Sequence, residues 1–176
     1  RLHGVEYAIE NVPNKYKNNQ GLLYQRLQLK IKKDKIDSAF NLLLKAKSDK
    51  KNFNRPDKFW KPTSIIIRRL VYKKKYLAAY KIASKHHLNE GSNYSEAEWL
   101  SGWIALSFLN NPELAIKHFL NMAKNAYDPK NRSRAAYWCG KTYETLGQQN
   151  LAESWYIKGS AYPTAYYGQL SFKKIF

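Results

Sequence analysis

A repeat of about 37 residues is the feature of this sequence that most constrains its fold. A small residue and a large apolar residue recur four positions apart, and each such pair follows a glycine. The matching positions are Gly102, Ala115 and Phe119 in one copy and Gly140, Ala152 and Tyr156 in the next. Residues four apart share one helical face, and a single helical hairpin cannot bury its apolar face alone. The spacing therefore predicts an all-α fold of stacked hairpins.

Two weaker copies precede these, so the sequence predicts four hairpins within a single domain, 1–176. Their approximate boundaries are 21–47, 63–88, 95–126 and 133–161. Prolines are expected to lie at helix ends, and the stretch from Ser48 to Thr63 is expected to be an irregular connection. The predicted architecture is a right-handed α-solenoid, or superhelix, of nine or ten helices.

The composition raises the question of an anionic partner. The chain has 31 basic and 13 acidic residues, a net charge of +18. Such an excess suggests nucleic acid, a membrane surface or an acidic polymer. Lys, Asn, Tyr and Ile are also abundant, and their AT-rich codons make compositional drift an alternative cause. No stretch approaches the ~18 apolar residues of a membrane helix.

Several polar residues are candidates for chemistry, and each has a structural interpretation. His86 and His87 point about 100° apart on a helix and are expected to be surface residues that cannot bind one metal ion. Glu96 and Glu98 are expected to form an acidic first turn capped by Ser95.

Core packing explains three further candidates. Cys139 is the only cysteine, which excludes an internal disulfide and a cysteine metal cluster. Cys139 is expected in the core, as are Trp99 and Trp103, which are four residues apart. No metal site and no cofactor are predicted.

One basic cluster stands beside aromatic residues. The segment from Lys130 to Arg134 immediately precedes Tyr137 and Trp138. Arginine next to exposed aromatic rings can hold sugars or acidic groups, although core packing of Trp138 is the alternative.

The last hairpin resembles a tetratricopeptide repeat. The residues that fall on that family's spacing are Gly140, Tyr143, Ala152, Tyr156 and Gly159. This resemblance supports the predicted hairpin and opens a second reading, a tetratricopeptide-type adaptor that binds a peptide or protein.

Three longer phrases occur in a fixed order: "SEAEWLSGWIALSFLNNPELAIKHF", "SRAAYWCGKTYETLGQQNLAESWY" and "AYPTAYYGQL". Together they resemble the α-superhelical region of soluble lytic murein transglycosylases, periplasmic enzymes that cut peptidoglycan. The resemblance implies a helical scaffold that holds glycan strands, and a junction segment, 161–176, ahead of a lysozyme-like catalytic domain.

The resemblance assigns no catalytic residue to this chain, which alone is predicted to be inactive. Glu153 begins "ESWY", similar to the Glu-Ser pair of lysozyme-like domains, but the repeat uses its neighbours Ala152 and Tyr156 for packing. Glu153 is therefore expected to face solvent. The residues proposed to contact glycan are Arg132, Arg134, Trp138, Tyr166 and Tyr167. Nonspecific nucleic-acid binding is a third hypothesis, because the charge permits it and no base-reading motif is present.

Overall fold

The computed structural model describes residues 3–13, 16, 19–48 and 53–176, and these residues form α-helices and no strand. The helices are α1 His3–Glu10, α2 Gln20–Lys32, α3 Ile36–Ser48, α4 Pro56–Tyr72, α5 Tyr76–Ala83, α6 Gly91–Ser107, α7 Pro112–Asn125, α8 Pro129–Thr145, α9 Gln149–Ser160 and α10 Tyr166–Phe172. The chain is thus all-α, with ten helices in its described part. No helix there is long and apolar enough to cross a membrane.

The helices divide into two compact units, Arg1–Ile66 (unit 1) and Ile67–Phe176 (unit 2). In unit 1, α2 packs against α3, and Leu27, Ile36 and Leu43 are almost completely buried between them. Phe59 lies 5.0 Å from Phe53, between ring centroids. The apolar residues that recur along both helices supply this core.

The α2–α3, α4–α5 and α8–α9 turns have a common backbone geometry. Lys74 adopts a positive φ of 58°, and the next N–H, that of Lys75, donates to the Leu70 carbonyl at 2.8 Å. Asp34 (φ 53°) and Gly147 (φ 71°) occupy the same position in the α2–α3 and α8–α9 turns. This left-handed residue ends a helix and satisfies its last carbonyls, as in a Schellman motif.

Close packing in unit 2 depends on two glycines. A Cβ on Gly102 would lie 2.7 Å from the Phe119 ring, and a Cβ on Gly140 would lie 2.7 Å from the Tyr156 ring. Helix α6 therefore approaches α7, and α8 approaches α9, more closely than any side chain at these glycines would permit. Each large residue of the repeat packs on the glycine of its own hairpin.

The C-terminal segment folds back onto the last hairpin. Helix α10 packs against α8 and α9. A Cβ on Gly159 would collide with Ser171, and one on Gly168 would collide with the Tyr162 carbonyl. The segment 161–176 is consequently part of unit 2, and this arrangement brings Tyr166 and Tyr167 beside α8.

The connection predicted between the first two hairpins is wrong in its second half. Helix α4 begins at Pro56, so much of the expected irregular stretch is helical, while residues 49–52 lie outside the described part. Pro62 lies inside α4 and is buried, contrary to the expectation that prolines mark helix ends. Burial of Phe59, Trp60 and Ile66 on this helix outweighs the backbone hydrogen bond that a proline removes.

Candidate functional site

A cleft of unit 2 has a volume of about 760 Å³ and lies between α6, α8 and the start of α10. Its walls combine cationic, aromatic and neutral polar side chains. The lining residues are Ser92, Asn93, Glu96, Lys130, Asn131, Ser133, Arg134, Thr164, Ala165, Tyr166 and Tyr167.

The first turn of α8 fixes the basic side of the cleft. Asp128 caps the helix, because its carboxylate accepts hydrogen bonds from the Asn131 backbone N–H at 2.9 Å and from the Asn131 side chain at 2.7 Å. Burial would raise the pKa of Asp128, but these bonds lower it below its usual value. With the helix start set, Lys130 and Arg134 are four residues apart on one face and both line the cleft.

Arg134 is held in place by aromatic rings. Its guanidinium carbon lies 3.7 Å from the Trp99 ring centroid and 5.7 Å from that of Tyr167. Its Nε is buried and has no hydrogen-bond partner in the protein. Burial lowers the pKa of Arg134 from its ordinary value, although an arginine remains charged at neutral pH. The cleft thus contains an oriented, partly desolvated positive charge.

Two tyrosines of α10 also line the cleft. Tyr167 is half-buried, 5.5 Å from the Tyr137 ring, whereas Tyr166 is 68% exposed and meets Tyr167 edge to face at 5.2 Å. Because Tyr167 is packed, the exposed ring of Tyr166 stands on a fixed support. Such a ring can stack on an apolar ligand face.

The electrostatic balance of the cleft favours an anion. Glu96 is its acidic lining residue, and the Glu96 carboxylate pairs with Arg68 at 2.5 Å. Lys130 and Arg134 therefore give the cleft an excess of positive charge.

The structure brings together three of the five residues proposed for glycan contact: Arg134, Tyr166 and Tyr167. Arg132 is exposed and does not line the cleft, and its Nε donates to the Ala126 carbonyl at 3.1 Å. Trp138 is half-buried and stacks on Phe119, with 5.6 Å between centroids. Sequence reasoning missed Lys130 as a lining residue, although its spacing of four from Arg134 was a usable signal.

A second polar cluster in unit 2 was predicted wrongly. His86 was expected on the surface and Glu98 in an acidic first turn, but both are buried and lie 3.2 Å apart between His86 Nε2 and Glu98 Oε1. Ser95 caps nothing, because α6 begins at Gly91 and buries Ser95. His87, which has a positive φ of 59°, is exposed.

Glu98 is the centre of this cluster. His118 Nδ1 lies 2.6 Å from Glu98 Oε2, and Tyr80 Oη lies 2.9 Å from His118 Nε2. The Leu88 N–H donates to His86 Nδ1 at 3.0 Å, so His86 Nε2 carries the proton that Glu98 accepts. Burial alone would raise the pKa of Glu98, but the hydrogen bonds from His118 and His86 prevail and lower it to about 2. The cluster joins α5, the loop before α6, α6 and α7.

The remaining candidates offer no reactive arrangement. Cys139 is buried, and burial raises the pKa of its thiol far above the usual value. Glu153 is exposed, as expected. Trp99 and Trp103 stack on each other at 5.6 Å and are half-buried. Within the described residues, no group of three or more His, Cys, Asp or Glu side chains could hold a metal ion.

Unit 1 has a cavity of its own, of about 510 Å³. It is lined by Gln20, Gly21, Tyr24, Gln25, Arg55, Lys58 and Phe59. Arg55 lies 3.7 Å from Asp57, and the Tyr24 and Phe59 rings pack edge to face at 5.8 Å. Unlike the cleft of unit 2, this cavity lacks a largely exposed aromatic ring.

No protein-family model, curated protein or solved structure matches this chain. Fold and site define the class: an all-helical protein, ten helices in its described part, with a basic and aromatic cleft in unit 2.

Proposed function

We propose that this chain is the noncatalytic helical scaffold of a periplasmic lytic transglycosylase and that it holds peptidoglycan glycan strands for a lysozyme-like domain. The observation that carries this proposal is the cleft of unit 2. It is lined by the cations Lys130 and Arg134 and by the exposed ring of Tyr166, together with neutral groups that can bond sugar hydroxyls. The three ordered phrases of the sequence support the same assignment.

The proposal includes a fold more specific than the ten helices. We propose that the hairpins form a right-handed solenoid of tetratricopeptide-like repeats. Consecutive packing of α6, α7, α8 and α9 and the common turn geometry of three hairpins support it.

The proposal requires glycan binding without glycan cleavage. The purified chain is expected to co-sediment with peptidoglycan sacculi at about 0.15 M salt, where long-range attraction between surface charges is largely screened. It is expected to release no 1,6-anhydro muropeptides, because Glu153, the residue in the "ESWY" context, is exposed and lacks the apolar surroundings that a general acid needs. Release of such products would contradict the noncatalytic assignment.

Two arginines on α8 provide a matched pair for this assay. Arg134→Ala is expected to weaken co-sedimentation severalfold, whereas Arg132→Ala should leave it nearly unchanged, since Arg132 lies outside the cleft. Both variants lose the same charge, so general attraction to an acidic polymer falls equally. Equal losses in both variants would mean that net charge, rather than the cleft, retains the glycan.

A tetratricopeptide-type adaptor is the second candidate. The spacing of Gly140 and Tyr156, which pack against each other between α8 and α9, favours it as much as the scaffold. Specific capture of one protein partner, with indifference to sacculi, would replace the first proposal with this one.

A further inference from the structure

We infer that the cleft of unit 2 selects saccharides that carry a carboxylate, either on the sugar or on its peptide stem, over neutral saccharides. This inference rests on the proposed function and specifies its ligand. The carboxylate lies beside Lys130 and Arg134, and the sugar ring lies against Tyr166.

Neighbouring aromatic rings hold Arg134 in a fixed orientation in the cleft. The side chain is half-buried, its Nε has no partner, and its guanidinium lies over Trp99. A charge that has lost part of its hydration binds an anion more strongly than an exposed charge does. Since Trp99 and Tyr167 already orient the guanidinium, little side-chain entropy is lost when a carboxylate binds.

The charged side chains that line the cleft limit the charge of the ligand that it can bind. Lys130 and Arg134 are cationic lining residues, and Glu96 opposes them from α6 while it pairs with Arg68. This balance suits a single negative charge placed on the α8 side. A polyanion such as nucleic acid would bring several phosphates close to Glu96 and would be repelled there.

Neutral polar side chains in the cleft can bind the sugar. The cleft contains hydroxyl and amide side chains from α6, from α8 and from the loop before α10; these are Ser92, Asn93, Asn131, Ser133 and Thr164. Ser92, Asn93 and Thr164 are exposed and can bond sugar hydroxyls and acetamido groups. Asn131 and Ser133 are buried, and they donate to the Asp128 carboxylate and the Lys130 carbonyl instead. The exposed face of Tyr166 suits the apolar face of a sugar ring. A volume of about 760 Å³ lies within the range of roughly 300–1,000 Å³ found for small-ligand sites.

The test uses three soluble probes and isotope-labelled whole chain. The first probe is a monoanionic muramyl dipeptide, the second is the same molecule with its carboxylate converted to an amide, and the third is the free dipeptide without sugar. Binding is measured by amide chemical shifts at about 0.15 M salt. The acid is expected to bind about tenfold more tightly than its amide, with shifts in residues 130–134 and 164–167, and the free dipeptide is expected to bind more weakly than the acid.

Variants at three positions test which side chains cause the preference for the acid over the amide. Arg134→Leu is expected to abolish the preference for acid over amide, and Lys130→Gln to reduce it, while Arg132→Gln should retain it. If Arg134→Leu does not fold, the exposed Lys130 still supplies the test, since its side chain can be replaced without loss of core packing.

The outcomes separate this inference from the proposed function. Sacculus binding together with equal affinity for acid and amide would overturn the inference and leave the scaffold proposal intact. Absence of binding to sacculi and to all probes would overturn both. Equal affinity for the free dipeptide and the muramyl dipeptide would show a peptide site without a sugar contact and would also overturn the inference.

Discussion

Lys47 in unit 1 and Glu98 in unit 2 are both buried ionisable side chains, but their surroundings differ. In unit 1, Lys47 is 5% exposed, its ammonium nitrogen lies 5.8 Å from the Phe53 ring centroid, and burial lowers its pKa to about 7. In unit 2, Glu98 is equally buried, yet hydrogen bonds from two histidines lower its pKa to about 2. Burial disfavours the charged form of Lys47. Hydrogen bonds from His86 and His118 favour the charged form of Glu98.

The comparison shows that a buried charge helps to specify a fold when hydrogen bonds from several helices stabilise it. The Glu98 cluster ties α6 to α7 and to the loop before α6, so any displacement of these helices leaves a charged group unpaired. Lys47 makes the folded state of unit 1 less favourable at pH values where lysine is charged. Unit 2 is therefore expected to be the more sharply defined region, and it is the one that contains the cleft.

Removal of the Glu98 carboxylate is expected to have the largest effect. Glu98→Ala should lower the free energy of unfolding by roughly 3–5 kcal/mol, because it leaves His86 and His118 buried without their shared acceptor. Glu96→Ala is the control: Glu96 is on the same helix, but its pair with Arg68 is partly exposed, and about 0–1 kcal/mol is expected. Urea unfolding of both variants measures the difference, and similar losses would remove the special role of Glu98.

Acid should weaken unit 2 through the same residue. The pKa of Glu98 is about 2 in the folded state and 4.5 ordinarily. The stabilisation is therefore complete above pH 4.5 and is lost as the pH falls toward 2, to a total of about 3 kcal/mol. Unfolding measured at pH 5, 4 and 3 in wild type and in Glu98→Gln should show the steeper decline in wild type. Parallel declines of stability in the two proteins would show that Glu98 is not the source of the acid sensitivity.

Replacement of Lys47 should act in the opposite direction. Lys47→Met is expected to raise the stability at pH 7 by about 2 kcal/mol, since it removes the desolvation of a charge and keeps the apolar stem. The wild-type protein binds fewer protons when folded than when unfolded between pH 7 and 10.5, so its stability should rise over that range. The stability of Lys47→Met should therefore exceed that of wild type by less and less as the pH rises from 7 to 10.5.

A neighbouring lysine provides the control for that change. Lys45 is on the same helix but exposed, and Lys45→Met should alter stability by less than about 0.5 kcal/mol at any pH. A stability of Lys47→Met below that of wild type at pH 7 would show that the ammonium group has stabilising contacts that exceed its cost of burial.

The smallest effects are expected at two turns, one in each unit, and they should be equal. Equal effects would mean that the turns do not cause the difference between the two units. Asp34→Gly in unit 1 and Lys74→Gly in unit 2 should each stabilise the protein by about 0.5–1 kcal/mol, because both residues have positive φ. Lys33→Gly and Lys73→Gly, one residue earlier, should be destabilising instead. Opposite signs at Asp34 and Lys74 would contradict the shared turn geometry.

The sequence predicted those parts of the fold that depend on local spacing. Gly102 and Phe119 were identified from a repeat, and the structure packs one on the other. Contacts without a sequence signal were missed: His86 and His118 approach Glu98 from 12 and 20 residues away. Adjacent histidines suggested a polar surface, and no periodic pattern indicates that only His86 turns inward. Pro62 was misplaced because its tertiary burial overrides its local preference.

The cleft was predictable in part for the same reason. Arg134, Tyr166 and Tyr167 were selected because cationic and aromatic residues cluster in sequence. Their convergence depends on α10 folding back through Gly159 and Gly168, which only the packed structure shows. Arg132 has the same chemistry as Arg134, but the two residues are two apart on a helix and point in different directions.

Net charge does not distinguish the two units. Residues 1–66 contain 15 basic and 6 acidic residues, and residues 67–176 contain 16 and 7, so each unit has a net charge of +9. A difference in glycan binding between the units must therefore come from the arrangement of side chains.

Amide hydrogen exchange of the whole chain, with and without solubilised peptidoglycan strands, tests that claim most directly. Slower exchange is expected in residues 130–134 and 164–167, the two segments that contain most of the residues lining the cleft, and unchanged exchange is expected in residues 20–48. Protection confined to residues 20–48, or spread equally over both units, would contradict it.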